Sequence, residues 1–312
     1  MSPQLLAIAP VYFAESNAML PQAALSVLGL HLRLREDYVY HHIDSLRIET
    51  GSKSFYSMLV DSILPEWWRW SVLCPRPADP LDPSPAGLTE AIHVRITRAL
   101  RARDRLHGQF LRVPSDDTVD EALMHFESFL VAFAGAFDCA ARVADQAYEL
   151  ARPRQASWRK KEWLKDLCSK DPDLGPMVSD ETTVRKVIDL VFLLRNTIHE
   201  ETLKPIGVIG RNDRIEQYDA AIPTEVRNDL LNCVAALGGE RFWGLTALGS
   251  DFIAIDIPIF TERALTDGVR VLNQLLAAIR VERFGLNPLS TYDAPEDIAT
   301  DAPWFLELAG LV

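Results

Sequence analysis

Apolar and polar positions along the chain fall mostly into helical period, broken by a few short extended pieces. The spacing of apolar residues predicts helices near residues 13–30, 53–64, 88–111, 118–151, 157–169, 180–203, 223–237 and 259–283. Thr118 and Asp180 stand where N-caps belong, and Pro205 stops the helix that ends near 203. Two pieces alternate instead. "IGVIGRNDRIEQYD" has a polar turn between extended halves, and "FWGLTALGSDFIAID" reads as a second hairpin. The pattern as a whole predicts a mostly α fold, a helical bundle with small β-hairpin insertions.

Three of these helices carry the argument. The one at 118–151 is apolar around most of its axis: Met124, Phe126, Phe129, Leu130, Phe133, Phe137 and Val143 point in several directions. Such a helix is central and covered by neighbours. Asp138 and Arg142, one turn apart within it, are expected to neutralise each other. The helix at 88–111 is divided. Ile92, Ile96, Ala99, Leu100 and Leu106 take one side, while Arg98, Arg101, Arg105 and Arg112 form a basic stripe. The stripe is either a solvated face or a track for a phosphate backbone. On the helix at 180–203, Val184, Val187, Ile188, Val191, Phe192, Leu194 and Ile198 share one side. Arg185, Lys186, Asp189, Asn196, Thr197 and Glu200 share the other, and Leu190 and Leu193 depart from the division. Arg195 and His199 project within the apolar arc.

Composition sets the frame. The chain has 312 residues, 48% hydrophobic and 24% charged, an ordinary globular balance with room for an ample core. "CPRPADPLDPSPAG", residues 74–87, holds five prolines and no apolar period, and reads as a linker. It divides the chain into an N-terminal mainly helical segment, 1–73, and a helical domain with a C-terminal extension, 88–312. The four cysteines are widely spaced and form no CxxC pair, so neither a zinc knuckle nor a disulfide framework is expected, and a reducing cytoplasm fits. The N-terminus lacks the basic region of a signal peptide. No stretch reads as a membrane span, because Asp138 and Arg142 interrupt the most apolar run. The net charge of −12 repels nucleic acid in bulk, so any RNA must meet a local basic patch.

The placement of Arg195 and His199 needs a reason. A guanidinium keeps its proton, so an apolar surround is costly unless a carboxylate meets it or the face opens onto a cleft. A histidine beside a permanent cation has its pKa pushed down, and a neutral imidazole is a competent general base. An arginine holds phosphate by paired hydrogen bonds. The pair suits attack of a ribose 2′-hydroxyl on the adjacent phosphorus, with no metal or other cofactor required. The rival reading is an arginine paired with a buried carboxylate and a core histidine. "SWRKKEWLK" is a second RNA-binding candidate: Trp158 and Trp163 flank Arg159, Lys160 and Lys161, and aromatics beside cations stack on unpaired bases. The commoner use of such tryptophans, and of "EWWRW" at 66–70, is packing.

"LLRNTIHEE", late in a long helix, resembles the HEPN superfamily of small α-helical proteins. Their mark is an arginine, usually followed by a polar residue, and then a histidine; Arg195, Asn196 and His199 match it. Three residues separate Arg195 from His199, fewer than the family's usual spacing. The resemblance spans about residues 118–283 and implies a metal-independent endoribonuclease of a toxin–antitoxin or antiviral system. It further implies a homodimer with the motif helices facing each other, and an antitoxin or defence-system partner. Family members without catalysis serve as interaction modules, which is the alternative. Other signatures are lacking. "HEETL" has no second histidine for a zinc protease, and no GxGxxG, GxxxxGK[ST] or GxSxG occurs. Nothing completes a ligand set around His41, His42 and Asp44.

Overall fold

The structure, a computed structural model, describes residues 52–76, 84–200, 202–209, 215–248 and 252–284. The helix expected near 13–30, and His41, His42 and Asp44, lie outside these residues. The described helices are α1 (Ser52–Ile63), α2 (Pro65–Leu73), α3 (Pro85–Phe110), α4 (Asp116–Ala147), α5 (Lys161–Lys170), α6 (Leu174–Val178), α7 (Thr183–Glu200), α8 (Thr224–Ala235) and α9 (Ile257–Ala278). The strands are β1 (Lys204–Ile209), β2 (Ile215–Pro223), β3 (Leu245–Leu248) and β4 (Phe252–Ile255). The molecule is therefore mostly helical with one small antiparallel sheet, as the sequence pattern predicts.

Local chemistry places the helix starts. Ser84 accepts a hydrogen bond from the Gly87 amide at 3.0 Å, and Pro85 opens α3 with its φ already suited to a helix. The last residues of the expected linker are thus helical. Ser115, not Thr118, caps α4. Thr118 lies in the first turn, and the Ser115 amide donates to its hydroxyl at 2.8 Å, completing a reciprocal capping box. Thr182 takes the position expected of Asp180, because its hydroxyl lies close enough to accept from the Arg185 amide at 3.1 Å. Asp180 instead meets the Arg185 guanidinium at 3.0 Å.

Helices α3 and α4 form an antiparallel hairpin, and α7 and α9 pack against α4. Phe129 and Phe133 stack at 5.3 Å, and Phe126 meets Phe260 of α9 edge-on at 5.8 Å. By length and composition α4 is apolar enough to cross a membrane, contrary to the sequence expectation; 67% of its apolar window is buried inside the protein. Helices α1 and α2 join the same core. Trp70 Nε1 donates to the Leu276 carbonyl at 2.9 Å, and the Arg69 guanidinium donates to the carbonyls of Leu276, Ala277 and Ile279 at the end of α9. Tyr56 to Leu73 belong to one hydrophobic cluster with the rest of the described chain. The division at 74–87 is thereby corrected for residues 56–73, which share the bundle's core.

Both expected hairpins form. They join through β2 and β4 into one sheet of order β1-β2-β4-β3, packed against α8. A buried ionic cluster ties α1, α3 and α9 together. Tyr56 Oη donates to Asp104 at 2.7 Å, Arg103 Nε donates to Asp104 at 2.8 Å, and His107 meets Glu262 at 2.9 Å. Arg103 and Asp104 are fully buried, and each answers the other's charge.

Candidate functional site

The stripe that carries Arg195 and His199 is covered at Val184, Ile188 and Val191, and opens in the last turn of α7. Arg195 is 26% exposed and His199 is exposed, so neither is a core residue. The rival reading of a core histidine does not hold, since polar Asn196, His199 and Glu200 end the helix where its cover ends. The Arg195 guanidinium lies 5.1 Å from the Phe192 ring centroid and 3.5 Å from Asp138 Oδ2 on α4. Asp138 therefore makes its ion pair with Arg195, where the sequence pointed to Arg142. Burial raises the Asp138 carboxyl above its ordinary value, against the pull of Arg195, Arg95 and Arg142.

His199 opens into a cleft of about 670 Å³. One wall is the arginine stripe of α3: Arg95, Arg98, Arg101 and Arg105. The other is α4, which brings His125, Ser128 and Val131 to the cleft, with Glu127 as the acidic lining residue. The antiparallel hairpin sets these faces opposite each other, and the end of α7 closes one side. Arg112 is not in this cleft. It lies past the end of α3 and meets Glu121 at 3.7 Å, because Leu111 ends the helical turn that would have carried the stripe on.

The arginines of the cleft differ in their partners from many outside it. Among the described residues no carboxylate pairs with Arg98, Arg101 or Arg105. Arg103, Arg152, Arg159, Arg185, Arg270 and Arg280 all have one. In a chain with 44 acidic and 32 basic residues, that leaves a focused positive field in the cleft. Arg95 also lines the cleft, hydrogen-bonded to Cys139 and near Asp138. Gly135 makes room for it: a Cβ there would fall 2.0 Å from its guanidinium.

The second expected RNA surface is corrected. Trp158 and Trp163 are fully buried, packed edge-to-face at 5.3 Å, so neither offers a face to a base. Trp158 Nε1 donates to the Phe137 carbonyl and Trp163 Nε1 to Asp145, both at 2.9 Å. Arg159 pairs with Asp189 at 3.2 Å, and Lys160 and Lys161 are exposed. The tryptophans anchor the α5 segment onto α4, which an amphipathic helix requires.

Sequence reasoning missed Arg95, His125 and Ser128. Arg95 lies one turn before Arg98, so the helical period held its signal. His125 and Ser128 had none, because only the pairing of α3 with α4 brings them to the arginines. A second groove of about 1040 Å³ lies across α3, sharing Arg98 and Arg101 and including Trp67 and His93. Ser57 and Asp61 both approach Nε2 of His93, at 3.5 and 2.9 Å. A relay through the ring needs its two opposite nitrogens, so this trio is no nucleophilic triad. Among the described residues no group of three or more His, Cys, Asp or Glu side chains is placed to hold a metal ion. No family model, no curated protein and no solved structure matches the chain.

Proposed function

We propose that the cleft between α3 and α4 binds the phosphate backbone of RNA and that the chain is a metal-independent endoribonuclease of the HEPN kind. One observation carries this reading: His199 opens into the cleft lined by Arg98, Arg101 and Arg105, which no carboxylate meets among the described residues. The arginines hold the phosphates and stabilise charge that develops on the phosphorane oxygens. His199 takes the proton from the 2′-hydroxyl as its oxygen attacks phosphorus. Arg195 was expected to clamp the phosphate; its engagement with Asp138 and Phe192 gives it the part of fixing the last turn of α7, with Asn196 beside it. Action in a toxin–antitoxin or antiviral system and as a homodimer follows from the motif's resemblance alone, and a cytoplasmic location from the widely spaced cysteines.

The test is cleavage of a mixed set of labelled RNAs by purified protein. His199→Ala is expected to lower the rate by about 10²–10⁴-fold, the usual worth of a general base, with the helical circular dichroism unchanged. Wild-type protein that binds these RNAs and cuts none would remove the catalytic claim. That outcome would favour the second reading, a non-catalytic helical module, which the occupied state of Arg195 supports.

A further inference from the structure

Four of the seven histidines are among the described residues: His93, His107, His125 and His199. Two are tied to carboxylates, His93 to Asp61 at 2.9 Å and His107 to Glu262 at 2.9 Å. The other two, His125 and His199, have no hydrogen-bond partner among the described residues, and both line the arginine cleft. They come from different helices, α4 and α7, and are brought to one cleft by the packing of those helices. Phosphodiester cleavage by an internal hydroxyl requires two proton transfers, one at the attacking oxygen and one at the departing oxygen.

We infer that His125 is the proton donor to the leaving 5′-oxygen, the partner of His199 in the cleft. The inference rests on the nuclease reading of that site. In the step, the O2′–P bond forms and the P–O5′ bond breaks. His199 takes the proton from the 2′-oxygen and protonated His125 gives one to the 5′-oxygen. The products are a 2′,3′-cyclic phosphate and a free 5′-hydroxyl, and no water, oxidant or metal enters the balance. Burial and the neighbouring Arg105 guanidinium hold the His125 ring below the ordinary histidine range, against the pull of Glu121. That environment makes the protonated ring a stronger acid. Arg98, Arg101 and Ser128 stand along the same cleft to hold the phosphate between the two imidazoles.

A change of leaving group tests the assignment. Two oligoribonucleotides are compared at a bond the wild-type protein cuts: one natural, one with sulphur in place of the bridging 5′-oxygen. A thiolate departs without a proton, so the sulphur substrate has no need of a donor. His125→Gln is expected to slow the natural RNA by about 10²–10⁴-fold and to cut the sulphur substrate within a few-fold of wild type. His199→Ala is expected to slow both. His125→Asn serves as a second variant if the glutamine disturbs α4, and RNA affinity and Tm are measured for each. Equal losses on both substrates, or an undiminished rate on natural RNA, would overturn the donor role while leaving the nuclease reading in place. A wild-type protein that cuts neither substrate overturns both.

Discussion

Burial decides the chemistry of single residues throughout this molecule, and Cys74 shows it away from the cleft. Its side chain is 4% exposed at the end of α2, and the Thr89 hydroxyl donates to Sγ at 3.3 Å. Desolvation pushes the thiol up from 9.0 to about 11, outweighing that hydrogen bond. At pH 8 the thiolate fraction should be about 100-fold smaller than in the unfolded chain. Iodoacetamide followed by mass spectrometry is therefore expected to label Cys74 only after denaturation; rapid native labelling would show an open α2–α3 junction. The sign for stability is definite. Below pH 9 the thiol is neutral folded and unfolded and has no effect. Between pH 9 and about 11 the unfolded chain ionises first, so this residue's contribution to stability falls as pH rises. The same competition of burial with partners separates the histidines: His93 and His107 hold carboxylates, while His125 and His199 stay available. Nothing in the sequence around His125 distinguishes it, since the arginines that make its setting lie on another helix.

At the scale of elements, packing between α4 and α9 hinges on Gly268. A Cβ there would sit 2.4 Å from the Phe133 ring, which already stacks on Phe129 and meets Phe137 edge-on at 5.7 Å. The ring has no direction in which to yield. Gly268→Ala is expected to cost about 1–3 kcal/mol by overpacking, read as a lower urea midpoint with an unchanged m-value. Gly135→Ala makes the contrast: its Cβ would strike the flexible end of Arg95, which can swing away, so stability should barely move. A neutral Gly268→Ala would mean the seam is looser than these distances imply. The helices themselves were legible because their apolar residues repeat at 3.6, and the central α4 was legible because its phenylalanines face every way. Both hairpins were legible from alternation, whereas their union through β2 and β4 was not. That pairing is non-local, and no local pattern encodes it. The caps shifted for a simple reason: Ser115 and Thr182 accept from amides of the first turn, while Thr118 already lies inside that turn and Asp180 is drawn to the Arg185 guanidinium. For the cleft, one wall was readable as a stripe, while the opposite wall depended on how the α3–α4 hairpin closes.

Across the whole molecule the question is how a chain of net charge −12 attracts a polyanion. Arginines such as Arg103, Arg159 and Arg185 stand against carboxylates, so their fields cancel at short range. Arg98, Arg101 and Arg105 are gathered on one wall without such partners among the described residues, and their field adds within the cleft. Salt should report the difference. Each phosphate neutralised on a single strand contributes about −0.7 to the slope of log K against log salt concentration. Replacing the three cleft arginines by glutamine is expected to flatten that slope by about two and to weaken binding most at low salt. Net charge alone would also weaken binding, so a matched control is needed. Glutamine at Arg112, Arg152 and Arg270, which face Glu121, Asp166 and Asp267, removes the same three charges from outside the cleft. That variant should lower affinity through the long-range field and leave the slope nearly unchanged, because no phosphate contact is lost. If both triple variants flatten the slope alike, RNA is responding to overall charge, and the cleft has no privileged part in holding it.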